Sequence, residues 1–197
     1  GNISNTGKMY AKIDFKKTLK HLYQPSAKDF VVVDVPQMQY VMIDGMGDPG
    51  TSQAYADALA WLYPVAYKAK FTSKTELGSD FVVMPLEGLW WADDLSAFTT
   101  GDRDAWKWTM MIMQPDWISQ DMIDTAIESV DEKLEGHPPP TLRLETLDEG
   151  LSVQILHVGP YSEEGPTLAR LHDEYLPDNG FVETGNHHEI YLSDPRR

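Results

Sequence analysis

The chain has 197 residues, 31 acidic against 16 basic, a formal net charge of −15, 42% hydrophobic residues and no cysteine. That length suits one domain of ordinary size. The missing cysteines exclude a disulfide framework and a thiolate nucleophile and fit a reducing, cytoplasmic setting, and the acidity argues against direct contact with a nucleic-acid backbone.

Residues 1–8 read as a polar tail or cloning remnant, with Met9 as a natural start and residues 9–197 as one domain. A short helix is expected over Asp14–Leu22, where Phe15, Leu19 and Leu22 recur at helical spacing. Phe30–Val35 is a β-branched strand ended by Pro36, and Tyr40–Asp44 is a second. The glycine-rich turn 45–50 leads to a helix capped by Thr51 or Ser52 and running to about Lys70, with Tyr55, Leu59, Leu62 and Ala66 on one face and a kink expected at Pro64. Asp80–Trp91 reads as a strand bent near Pro85 and Gly88, and Trp106–Met113 as another. A helix from about Pro115 to Glu135 carries the stripe Ile118, Met122, Ile123, Ala126, Ile127, Val130 and Leu134.

Gly136-His-Pro-Pro-Pro140 then reads as a rigid connector between two halves, about 30–135 and 141–197. The second half repeats the grammar of the first: strands over 141–147 and 151–158, a helix over 163–176 and a last strand over 187–195. The segments 107–115 and 187–195 match as nine-residue strands closing on Pro. This pattern implies an α+β fold: a duplicated strand-helix-strand-strand unit, an antiparallel-rich sheet with helices on one face, and a ligand groove at the seam.

No phosphate loop, dinucleotide fingerprint, nucleophile elbow or H-E-x-x-H motif is present. The chemistry must be read from unusual residues. Five of the six tryptophans, Trp90, Trp91, Trp106, Trp108 and Trp117, fall close together. They form either a bulky core or an aromatic cage able to stack on planar rings and attract cations. Strand alternation puts Trp90 and Trp91 on opposite faces, and Trp91 is favoured for the groove. Glu189 sits in mid-strand, where Glu is disfavoured, with His187 and Tyr191 on its face and His188 and Ile190 on the other. Facing a groove, Glu189 would have a raised pKa and would serve as general base or as partner of a ligand's charge; facing solvent, it would do neither. Glu87, between Pro85 and Gly88, is a second carboxylate candidate. Glu163 and Glu164 are explained as acids at a helix start. His187 and Glu189 lack a third ligand at a recognisable spacing, so no metal is expected.

Residues 80–91, 107–115, Gly159-Pro-Tyr161 and the terminal His188-Glu-Ile-Tyr-Leu-Ser-Asp-Pro195 together resemble the GyrI-like small-molecule-binding family, over about 10–195. The resemblance implies a tandem repeat with a groove between repeats, in which the glutamate role falls on Glu189. The stand-alone branch that it most resembles includes hydrolases that open the cyclopropane ring of DNA-alkylating natural products in an aromatic cage. Here the matching positions are Trp91, Trp108, Tyr55, Tyr67 and Tyr191, beside His187. The expectation is a cofactor-free hydrolase in which Glu189, assisted by Glu87 and Tyr191, activates a water. The alternative is a non-catalytic binder or sensor of planar cationic drugs, and a gyrase-directed role is a weaker third. No DNA-binding domain is expected before residue 9, which disfavours a transcription-factor role.

Overall fold

A computed structural model describes residues 11–94, 100–160 and 163–193. Two short helical turns, α1 (Phe15–Thr18) and α2 (Lys20–Tyr23), precede strands β1 (Val31–Val35) and β2 (Met38–Met46). Helix α3 (Gln53–Thr72) runs on into a π turn, Ser73–Leu77. Strands β3 (Leu86–Trp91) and β4 (Lys107–Gln114) lead to helix α4 (Gln120–Asp131). Strands β5 (Arg143–Leu147) and β6 (Gly150–Gln154) follow. Helix α5 (Gly165–Arg170), a π turn and α6 (Leu176–Asp178) then lead to β7 (His187–Ile190). No helix among the described residues is long and apolar enough to cross a membrane.

Local chemistry explains the long helices. The Ser52 side chain accepts the Tyr55 N–H and caps α3. Ala58, Leu59, Leu62, Val65 and Ala66 are buried along one side. Pro64 lies on the exposed side, so its missing N–H falls where water can satisfy the freed carbonyl. Helix α4 begins five residues later than the pattern suggested. Pro115–Ile118 forms a turn, and Ser119 supplies the cap by accepting the Met122 N–H at 3.2 Å.

The sheet order is β5-β2-β4-β3-β7, antiparallel throughout, with β1 and β6 as a separate antiparallel pair. The two sets are one bent ribbon. Val35 lies opposite Gly150 and Met38 opposite Leu147, so the register carries across the break. The bend falls at Pro36–Gln37, where Pro36 has no N–H to donate, opposite Asp148–Glu149. It returns Glu149, which leaves edge strand β5, to within hydrogen-bond distance of His188 on the opposite edge strand β7. The expected strand 80–91 is shorter, because Pro85 cannot join a ladder. The expected nine-residue strand 187–195 reduces to four residues plus one bond, Tyr191 N–H to Leu86 O, and residues 194–195 lie outside the described region. Strand 151–158 likewise ends at Gln154.

Helices α3 and α4 cover the sheet face that carries Val41, Ile43, Leu86, Trp90, Trp108, Met110 and Ile112. Trp108 is fully buried there, lying across Gly45. A Cβ at residue 45 would collide with the six-membered ring of that indole. Gly45→Ala is therefore expected to cost about 1–3 kcal/mol through overpacking, read as a lowered urea midpoint with unchanged m-value.

Candidate functional site around Glu189

Two polar networks lie back to back on strands β3 and β7. Register sets Gly88 opposite Glu189 and Trp90 opposite His187, so these share the helix-bearing face. On that face the Trp90 indole N–H donates to Tyr191 Oη at 2.8 Å, and Tyr191 O–H donates to Glu189 Oε1 at 2.8 Å. His187 Nε2 lies 3.1 Å from Glu189 Oε2. Glu164, directly before α5, feels the Glu189 charge as well. Gly88 makes the arrangement fit: a Cβ there would stand 2.9 Å from Trp90 Nε1 and 3.1 Å from Tyr191 Oη.

The Glu189 side chain is 16% exposed and Tyr191 8%. Burial alone would push the Glu189 carboxyl up, as expected from its strand position. The structure reverses that expectation. Donors from His187 and Tyr191, with the contact to Glu164, outweigh desolvation and hold Glu189 below its ordinary value. Glu164 moves the other way, pushed up to about 7 by burial and by the Glu189 charge. His187 is raised despite its burial, because Glu189 and Glu164 face it. The two carboxyls are thus pushed apart, Glu189 toward its ionised form and Glu164 toward its protonated one.

The opposite face carries the second network. Glu87 is 1% exposed; Tyr23 O–H donates to its Oε2 at 2.9 Å, and His188 Nε2 lies 2.8 Å from its Oε1. His188 Nδ1 lies 2.8 Å from Glu149 Oε1. Burial opposes the His188 charge, but the two carboxylates win and push its pKa to about 10. With a carboxylate at each ring nitrogen, the imidazolium donates to both. Burial, reinforced by the Glu87 charge, drives the Tyr23 and Tyr40 hydroxyls upward.

The expected site residues divide accordingly. Glu189, Tyr191 and His187 come together. Glu87 stands on the opposite face of the sheet from Glu189, so the assistance expected of it does not fit its position. Trp90, rather than the favoured Trp91, shares the face with Glu189, because β7 pairs with β3 in a register that alternation alone does not fix. Trp108 is a core residue, its ring edge-on to Tyr55 at 5.5 Å. Tyr67 is 48% exposed on α3 beside Phe71, apart from the Glu189 network. Trp90 and Glu164 enter the site unannounced; the carboxylate at residue 164 was visible only as an acid at a helix start. Among the described residues, no three His, Asp or Glu side chains are grouped to hold a metal ion.

Two open concavities lie elsewhere. One is lined by Phe30, Arg170, Glu174, Tyr175, Asp178 and Asn179, the other by Gln37, Met38, Gln39, Asp116 and Thr146. Neither includes Glu189. Both are open to solvent, whereas the Glu189 network gathers buried, convergent polar groups of the kind found in ligand sites.

Fold and site together define a small-molecule-binding α+β domain. Residues 28–197 match the family described as the GyrI-like small molecule binding domain, and the chain belongs to that family. Among solved structures it is similar to an uncharacterized conserved protein from Listeria innocua, at 42% identity over 94% of this chain and 93% of that one, TM-score 0.82. It is also similar to a hydrolase encoded by lin2189 from Listeria innocua, at 40% identity over 95% and 93%, TM-score 0.81. A further hydrolase from the same organism is 39% identical over 94% and 92%, TM-score 0.79. No curated protein matches the chain.

Proposed function

We propose that this protein is a hydrolase that opens the cyclopropane ring of planar, DNA-alkylating small molecules, with Glu189 as general base. The observation that carries the reading is a carboxylate held ionised in a nearly closed, aromatic setting, oriented at both oxygens by His187 and Tyr191. Support also comes from two relatives at about 40% identity that are described as hydrolases.

In this mechanism Trp90, backed by Trp106 at 6.0 Å edge-to-face, forms the apolar wall for the ligand's ring system. A water beside Glu189 gives it a proton and attacks the strained methylene carbon. The bond between that carbon and the ring-fusion carbon breaks, and its electron pair passes into the conjugated carbonyl as a phenolate. The proton returns to the phenolate oxygen through solvent, so the net change is addition of one water. Ring strain supplies much of the driving force. General-base catalysis contributes about 10²–10⁴-fold. Tyr191 acts through Glu189, whose carboxylate it fixes.

The test is to incubate a cyclopropane-bearing alkylator with substoichiometric protein and follow products by mass spectrometry. Accumulation of a ring-opened water adduct beyond one equivalent supports the reading. Tight binding with the ligand recovered intact replaces it with a non-catalytic binder. Trp90→Phe keeps an aromatic wall and removes the N–H that fixes Tyr191. Turnover is expected to fall about ten-fold, the worth of one hydrogen bond of about 1–1.5 kcal/mol, with ligand affinity nearly unchanged.

A further inference from the structure

Strand β7 has little of its own to hold it. It is four residues long, stands at the end of the sheet order and pairs there with β3. One further bond, from the Tyr191 N–H to Leu86 O, extends the ladder. Short edge elements open locally at low cost. Yet β7 and its extension carry His187, Glu189 and Tyr191, and a catalytic group misplaced by about 1 Å loses about 10²-fold in rate. The Glu189 site therefore needs support from outside its own face. We propose that Glu149 is a positioning residue for Glu189: acting through His188, it pins β7 from the opposite face of the sheet. This rests on the reading of Glu189 as the general base.

His188 lies between His187 and Glu189 in sequence, so strand alternation turns its ring to the face away from them. Two different elements hold that ring. His188 stands opposite Leu89, and its Nε2 reaches diagonally across the ladder to Glu87 Oε1 at 2.8 Å. Its Nδ1 meets both oxygens of Glu149, at 2.8 and 2.9 Å. Glu149 comes from the bend opposite Pro36–Gln37, 39 residues earlier in the chain. Glu87 is itself 1% exposed and receives the Tyr23 O–H from α2 at 2.9 Å. The bond to Glu87 resists sliding of β7 along β3. The bond to Glu149, on a separate element, resists rotation of β7 about its own axis. Rotation matters because Trp90 belongs to β3, whereas Tyr191 and Glu189 follow β7. Turning the strand would break the 2.8 Å bond between Trp90 and Tyr191 and swing the carboxylate off the aromatic wall. Burial opposes the His188 charge, but the two carboxylates push its pKa up to about 10, so the clamp is intact at neutral pH.

The test uses the full chain and a cyclopropane-bearing alkylator at neutral pH, at a temperature well below the melting point of every variant. Glu149→Ala is expected to lower kcat about ten-fold, less than the loss from a full 1 Å displacement, with KM nearly unchanged because stacking on Trp90 is untouched. Glu149→Gln keeps an acceptor for the His188 Nδ1–H and is expected to recover most of that loss. Tyr23→Phe loosens the clamp at its other end and serves as the second variant, with a smaller loss of kcat in the same sense. Hydrogen exchange reads the strand independently of catalysis: the Tyr191 amide is expected to exchange about ten-fold faster in Glu149→Ala than in the wild type or Glu149→Gln. Wild-type kcat in both Glu149→Ala and Tyr23→Phe, whatever their melting points, shows a merely structural contact. That result overturns the proposal and leaves the Glu189 reading standing. A wild type without turnover, or turnover unaffected by Glu189→Gln, removes that reading and this inference together.

Discussion

Glu189→Gln is expected to lower turnover of a cyclopropane-bearing alkylator by about 10²–10⁴-fold, the usual worth of a positioned general base. Gln keeps the shape and one acceptor for Tyr191 O–H but has no charge to take a proton from water. Affinity for a neutral planar ligand is expected to change little, because stacking on Trp90 is untouched. The measurement is kcat against Kd for the two proteins, with thermal melting to show that the fold is retained. A variant that keeps wild-type turnover means that another group removes the proton. The expected direction follows from the hydrogen bonds: a carboxylate with donors at both oxygens is held ionised near neutrality, which a merely buried one would not be.

The second large effect lies on the other face. His188→Ala is expected to cost about 3–5 kcal/mol, the penalty for leaving buried charge without its partner. Glu87 would keep Tyr23 as its donor but lose its cation, and Glu149 would no longer be tied to β7. The wild type carries a pH signature of the same interaction. The folded-state pKa of His188 is raised, to about 10 from 6.5. A raised pKa means that the stabilisation is fully present below the unfolded value and is lost as pH rises through the folded one. Denaturant unfolding from about pH 6 to about pH 10 is therefore expected to show a stability decline that His188→Ala lacks. A variant as stable as the wild type, or a wild type whose stability rises over that range, contradicts this role.

Much of the fold was legible because its signals are local. The cap candidates Thr51 and Ser52, the apolar stripe of α3 and the β-branched runs of β1 and β2 identify their elements without reference to the rest of the chain. What escaped was set by long-range pairing. Alternation separates Trp90 from Trp91, but only the pairing of Gly88 with Glu189 decides which one meets the carboxylate. Glu87 stood out as a strand carboxylate between Pro85 and Gly88. Its partners Tyr23 and His188 lie 64 and 101 residues away, and they turn a candidate base into an anchor. Glu164 was masked by a sufficient local explanation, since acids at helix starts are common. The density of tryptophan was informative about aromatic packing but not about function residue by residue: Trp108 belongs to the core and Trp90 to the site.

The role of Glu189 as base toward water is tested most directly by a single turnover in ¹⁸O-labelled water, with protein in excess over the alkylator. Activation of water predicts that the hydroxyl on the former cyclopropane carbon carries ¹⁸O in that first turnover. An unlabelled product hydroxyl, with the label appearing instead in the Glu189 carboxylate, would show direct attack by the carboxylate and contradict the account.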